Sequence, residues 1–262
     1  MLSPKISGYP ALLTATVHLV VPCFQESARI APFLTDLKAT FADDRQTKIL
    51  LVDDGSGAAE QRRFLDVVEP IIHDCPLFAA PLLLPENLGK GGAVYAGWKR
   101  HEDADWLAFV DADGSCSASE TLRLIELARS SPTNANPTPP AFFASRIKML
   151  GRNVDRQFKR HLIGRIYATL VSELLNIPVY DSQCGLKLVP RSAYEQVSER
   201  LSIRGFAFDA DLLAHLLDAG LKVHEVPIDW HETPGGKVHL IRDSWRMFRD
   251  VMTIRGNRSA SE

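Results

Sequence analysis

The chain has 262 residues and a mass of 29.1 kDa, with 45% apolar and 24% charged residues. That composition is ordinary for a globular fold and excludes disordered, collagen-like and disulfide-stapled classes. The net charge of −2 divides unevenly, with 12 Lys+Arg against 18 Asp+Glu in residues 1–140 and 18 against 14 in residues 141–262.

Ala11–Pro22 is apolar but interrupted by His18, and no small-residue cleavage site follows. It reads as a buried strand and not as a signal peptide. Thr16–Val21 is the strand proper, followed by a helix with apolar Ile30, Phe33, Leu34 and Leu37. Lys48–Val52 predicts a second strand and Glu60–Ile72 a helix. Leu77–Leu84 predicts a third strand, Gly91–Arg100 a helix, and Trp106–Val110 a fourth strand. Ser119–Ala128 reads as a helix and Ala141–Ser145 as a fifth strand. Strands alternating with helices predict an α/β fold with a mostly parallel sheet, and such sheets bind ligands at the carboxyl ends of their strands. Ser131–Pro140 carries four prolines and reads as a surface loop inside one domain spanning 1–262.

The second half is less regular. Gln157–Ile177 and Phe208–Ala219 predict amphipathic helices, and Lys222–Ile228 a strand. Leu240–Ile254 predicts a last helix with Ile241, Trp245, Phe248 and Met252 on one face. No run of 18 or more apolar residues occurs, so no helix is expected to span a bilayer. Cys23, Cys75, Cys116 and Cys184 are widely spaced and fit thiols in a reducing, cytoplasmic setting. No HxxxH or HExxH occurs, and Trp98, Trp106, Trp230 and Trp245 are read as packing residues.

Three Asp-x-Asp triplets occur, at 103/105, 111/113 and 209/211. Only Asp111 and Asp113 follow an apolar strand and precede a glycine, which places them at the ligand edge. Two carboxylates there can share a hard divalent cation and, through it, a diphosphate. The first pair precedes the strand, at the opposite edge. The third opens a helix, where capping alone would account for one aspartate. Asp53 and Asp54 end the second strand, and Glu26 follows the first, so three strands deliver acids to one rim. Asn87–Gly92 (NLGKGG) is glycine-rich and embeds Lys90, but matches neither GxxxxGK[ST] nor GxGxxG. An acidic first half suits a bound cation, and a basic second half suits phosphate or an anionic membrane surface; nucleic acid is not an expected partner.

VPCFQE, VDDGS, NLGKGGA and DADGS, in that order, resemble the family 2 glycosyltransferases of the GT-A fold, a Rossmann-like three-layer sandwich. SR at 145–146, DSQCGLKL, FAFDADLL and VPIDWHETPGGKV further resemble the polyprenyl-phosphate branch, nearest to dolichyl-phosphate β-glucosyltransferases and next to the mannosyltransferases. The resemblance implies a hexosyltransferase with donor-side residues in 1–146 and acceptor-side residues in 147–262. Asp53 would contact base or ribose, with Pro22, Glu26, Asp54, Lys90, Gly91 and Ala112 around it. Asp111 and Asp113 would hold Mg²⁺ or Mn²⁺. Arg146 matches a family arginine after the donor site, Arg160 an acceptor-phosphate arginine, and Lys237 a lysine that reaches a phosphate. Asp181, Gln183 and Asp209 would line the sugar and acceptor side. Gln25 stands where the family has Asn, and no QxxRW signature of polymerising synthases occurs.

The implied reaction moves a hexose, glucose from UDP-glucose before mannose from GDP-mannose, onto a lipid phosphate with inversion at C1. A phosphate acceptor needs cations but no strong base; a hydroxyl acceptor needs one, and Asp209 or Asp181 is the candidate. The alternatives are a soluble hydroxyl acceptor and a non-catalytic nucleotide-sugar binder. The last helix, with Arg242, Arg246 and Arg249, and the helix carrying Lys159, Arg160 and Arg165 either pack on the core or lie on an anionic leaflet.

Overall fold

The computed structural model describes residues 15–100, 103–131, 138–155, 168–233 and 240–259. In chain order the first half runs β1 (Val17–Cys23), α1 (Ile30–Thr40), β2 (Thr47–Asp53), α2 (Ala58–Ile72), β3 (Leu82–Leu83), α3 (Lys90–Trp98), β4 (Trp106–Val110), α4 (Ala118–Arg129) and β5 (Ala141–Ser145). After β6 (Val154–Asp155) comes a helical stretch at 168–175 (α5). Then follow β7 (Leu186–Pro190), α6 (Arg191–Val197), α7 (Phe208–Asp218), β8 (Val223–Pro227), β9 (Trp230–His231) and α8 (Leu240–Ser259).

Seven strands form one sheet in the order β3-β2-β1-β4-β7-β5-β8. All neighbours are parallel except β7, which runs antiparallel between β4 and β5. A strand's side chains alternate between faces, so a sheet covered on both sides needs apolar residues throughout. Accordingly Trp106, Ala108 and Val110 of β4 pack with α1, α2 and α4 on one face. Leu107 and Phe109 pack with α3, α6, α7 and α8 on the other. The result is helix, sheet, helix: three layers. A short second sheet pairs β6 with β9.

The expected third strand is curtailed. Only Leu82–Leu83 pair as a strand, with Phe78 touching Ile49 through a single bridge. Pro76 and Pro81 flank that bridge and carry no N–H for a ladder. β7 and α6 were not expected, because Lys187 breaks the apolar run that marks the other central strands. The last helix also differs. Its buried stripe is Met247, Val251 and Ile254, whereas Trp245 and Met252 of the expected face are 69% and 43% exposed. Trp98, Trp106 and Trp230 are buried; Trp245 is not. All four cysteines are free thiols. Of the 157–177 helix only the end falls within the described residues, and most of the proline-rich loop lies outside them.

Candidate active site

β1, β2 and β4 are parallel, so Glu26, Asp54, Asp111 and Asp113 emerge at one edge. They open onto a cleft of about 710 Å³ also lined by Pro22, Lys90 and Ala112, and closed by Phe206, Arg246, Arg249 and Asp250 from the second half.

After β1, Glu26 is gripped by Arg29 through Nε to Oε2 and Nη2 to Oε1, both at 2.7 Å. The pairing raises the Arg29 pKa, first through the hydrogen bonds it donates to Glu26, with Asp113 contributing at longer range. After β2 the two aspartates divide their labour. Asp53 is fully buried, and its Oδ1 accepts from the Ser56 N–H (3.0 Å) and Gln61 Nε2 (2.9 Å), closing its own turn. Asp54 lines the cleft and ties the glycine-rich loop down, accepting from the Leu88 N–H at 2.7 Å and Asn87 Nδ2 at 3.0 Å. Burial raises the Asp54 pKa. Gly55 permits this approach: at φ +64, a Cβ there would lie 2.1 Å from the Glu86 carbonyl carbon.

After β4, the Asp111 N–H donates to Gly185 O at 2.8 Å, and Oδ1 takes a 2.6 Å ion pair from Lys90 Nζ. A Cβ at Gly185 would meet Asp111 Oδ2 at 2.2 Å, so glycine is what lets the two segments touch. Asp113 Oδ1 accepts from the Ser115 N–H at 2.9 Å across a turn made by Gly114 at φ +70. Burial first, and the Asp111 charge second, push the Asp113 pKa up. Two carboxylates at one cleft edge, one of them opposed in its ionisation by the other's charge, fit a divalent cation. Among the described residues no third His, Cys, Asp or Glu joins them as a closed metal cage.

Behind the cleft lies a row of buried charges. Burial opposes the Lys90 charge, but Asp111, Asp209 and Asp113 outweigh it and raise the pKa. Lys187, fully buried on β7, stands 3.1 Å from Asp209 Oδ1, donates to Cys184 O at 2.6 Å, and lies over the Phe109 and Phe143 rings. Asp209 is 2% exposed, and burial raises its pKa against the pull of Lys187 and Lys90. Asp211 is structural: its Oδ2 accepts from the Ser202 and Ile203 N–H groups. Asp105, at the opposite edge, accepts from the Thr16 N–H at 2.8 Å and Oγ1 at 3.0 Å and anchors the start of β1.

Arg146 and Asp181 form a bidentate clamp, with Nε to Oδ2 and Nη2 to Oδ1 at 2.7 Å. The guanidinium sits 5.1 Å from the Trp230 ring. Burial alone would raise the Asp181 pKa, but the Arg146 charge and hydrogen bonds hold it well below the carboxylate range. Burial pushes the neighbouring Cys184 thiol up to about 12.

Pro22, Glu26, Asp54, Lys90, Asp111, Ala112 and Asp113 thus line the cleft, whereas Asp53, Gly91, Arg146, Asp181, Gln183 and Asp209 do not. A Cβ at Gly91 would strike Phe208 Cβ at 2.4 Å, so this glycine lets α3 approach α7. Gln183 donates its N–H to Asp181 at 3.3 Å. Arg160 and Lys237 lie outside the described residues. Arg29, Lys187 and Asp250 went unnoticed in the sequence; only the Glu26–Arg29 spacing of a helical turn offered a signal.

Residues 18–197 match the family model described as Glycosyl transferase family 2. A dolichyl-phosphate beta-glucosyltransferase of Saccharomyces cerevisiae is 32% identical over 252 residues, covering 91% of this chain and 74% of that one. A protein of the same name from Dictyostelium discoideum is 26% identical, covering 91% and 73%. Among solved structures, glucosyl-3-phosphoglycerate synthase from Mycobacterium tuberculosis in complex with Mn²⁺, UDP and glucosyl-3-phosphoglycerate superimposes with a TM-score of 0.65. It is 14% identical and covers 97% of this chain and 85% of its own. Mannosyl-3-phosphoglycerate synthase from Rubrobacter xylanophilus gives 0.63 at 17% identity, covering 95% and 75%. These similarities establish the GT-A architecture expected from the motif order. The acids brought to one sheet edge lie within the span of the family match, and the chain belongs to glycosyl transferase family 2.

Proposed function

We propose that this protein transfers glucose from UDP-glucose to a polyprenyl phosphate of the dolichyl type, with inversion at C1. The observation that carries the reading is the half-buried pair Asp111 and Asp113 at the cleft edge, with Lys90 held 2.6 Å from Asp111. The names of its sequence relatives support the sugar and acceptor. Residues 1–146 supply the donor side, and 147–262 the acceptor side.

Mg²⁺ or Mn²⁺ held by Asp111 and Asp113 would neutralise charge gathering on the departing diphosphate. Lys90 holds Asp111 in place through their ion pair and adds a fixed cation beside the leaving group. Asp54 holds the loop that carries Lys90. Asp181 orients Arg146 and, with its pKa depressed, is a poor proton acceptor. Asp209 is likewise engaged by Lys187 away from the cleft. A phosphate acceptor suits that arrangement, being anionic at neutral pH and needing no base.

No helix among the described residues is long and apolar enough to cross a membrane. The reading sets the cleft edge, where Phe24 and Phe206 are 36% and 39% exposed, against a bilayer surface, with Trp245 of α8 a further exposed aromatic at 69%. Flotation with anionic liposomes tests this contact, and absence of binding at low salt removes it.

The activity test combines the protein, Mn²⁺, radiolabelled UDP-glucose or GDP-mannose, and dolichyl phosphate in detergent. UDP-glucose should yield an organic-phase glucosyl lipid. Product from GDP-mannose alone would change the sugar, and no lipid product from any donor would refute the reading.

A further inference from the structure

α8 lies beyond the matched span of residues 18–197, yet it forms one wall of the cleft. Arg246 and Arg249 are both exposed and both line that wall. On the facing wall the cations are already committed, Lys90 to Asp111 at 2.6 Å and Arg29 to Glu26 at 2.7 Å. Among the described residues neither Arg246 nor Arg249 is in a side-chain ion pair, although both charges act at longer range on Asp250, which lines the same wall. Beside this pair Trp245 is exposed and Phe248 half-buried, whereas Met247 packs into the core. Trp245 stacks on Phe248 at 5.8 Å, and Phe206 is exposed across the cleft mouth. One helix thus brings two guanidiniums to the cleft and carries a part-exposed aromatic pair beside them in sequence.

We propose that Arg246 and Arg249 bind the phosphomonoester of the acceptor, with the Trp245–Phe248 surface and Phe206 receiving the adjoining isoprenyl chain. Guanidinium forks match phosphate oxygens, and charge-assisted bonds of this kind are the strong ones. A soluble phosphomonoester offers the same head group, but it has no use for the aromatic surface, so the isoprenyl ester is the assigned ligand. The assignment rests on the polyprenyl-phosphate reading above.

The test measures equilibrium binding of farnesyl monophosphate, farnesol and 3-phosphoglycerate to the full chain with UDP and Mn²⁺ present. Arg246→Gln and Arg249→Gln should each weaken farnesyl monophosphate binding by about 10- to 100-fold, the worth of one charge-assisted contact. UDP affinity should stay unchanged. Trp245→Ser should weaken farnesyl monophosphate and leave 3-phosphoglycerate alone. If the wild type binds 3-phosphoglycerate and not the farnesyl ester, the polyprenyl reading itself fails and the assignment falls with it. If the wild type binds the farnesyl ester and both glutamine variants bind it equally well, only the arginine assignment is overturned. Equal loss of UDP and acceptor binding would also overturn it, since the pair would then serve the donor. Arg246→Lys and Arg249→Lys should recover part of the affinity, which a merely structural role would not require.

Discussion

Lys187→Met would remove a cation that is wholly enclosed. Lys187 is 0% and Asp209 2% exposed, and their charged atoms lie 3.1 Å apart. Removing one member of such a pair leaves the other charge stranded away from water, which costs about 3–5 kcal/mol. For a chain of this size that corresponds to a melting point lower by roughly 6–20 °C. The pH dependence carries the diagnostic sign. Without Lys187, Asp209 has a folded pKa raised further above its unfolded value, so the folded variant binds a proton that the unfolded chain releases. The deficit against wild type should therefore shrink as pH falls through that raised value. Urea unfolding of both proteins in neutral and mildly acidic buffer measures it, provided the slopes agree. The double variant Lys187→Met/Asp209→Asn should recover much of the loss, which also covers the case in which the single variant fails to fold. A variant within 1 kcal/mol of wild type, or a deficit that removal of Asp209 does not relieve, would refute the reasoning.

Gly185→Ala puts a methyl 2.2 Å from Asp111 Oδ2; turnover should fall about 100-fold as the carboxylate swings away, with little change in melting temperature. Asp113→Asn should slightly stabilise the metal-free protein by relieving a disfavoured charge. It should abolish the gain from Mn²⁺ with UDP, which at 100 times the Kd is about 2.7 kcal/mol by thermal shift in the wild type. His215 takes a hydrogen bond with Asp211 that raises its pKa against burial. Its contribution is therefore full below about pH 6.5 and is lost as pH rises through the higher folded value. Wild type should exceed His215→Gln in stability by more at about pH 6 than at about pH 9; an equal gap would remove the charged pair from the account.

The strands buried on both faces were plainly legible. In β1, β2, β4 and β5 a run that is apolar at nearly every position has only one comfortable place, the centre of a covered sheet. β7 was not legible, because its buried lysine looks like a surface residue until Asp209 and two phenylalanine rings are folded around it. Of adjacent Asp53 and Asp54 the resemblance puts Asp53 foremost, yet Asp54 is the one that lines the cleft, since successive residues at a strand end face opposite ways and only the turn decides which meets it. Trp245 and Met252 of the apolar stripe assigned to α8 are exposed, and a second stripe of Met247, Val251 and Ile254 took the core. Burial depends on which side the neighbours occupy, and helical spacing alone does not record that.

The reversed strand has a consequence for how the molecule is made. β7 fills the space between β4 and β5, and the residue just before it, Gly185, braces Asp111. A nascent chain halted before that point would own every donor-side acid yet leave β4 with a raw flank and its aspartate unsupported. Competence to grip a nucleotide therefore arrives late in synthesis, when a segment from the far half is threaded back through the middle of the near one.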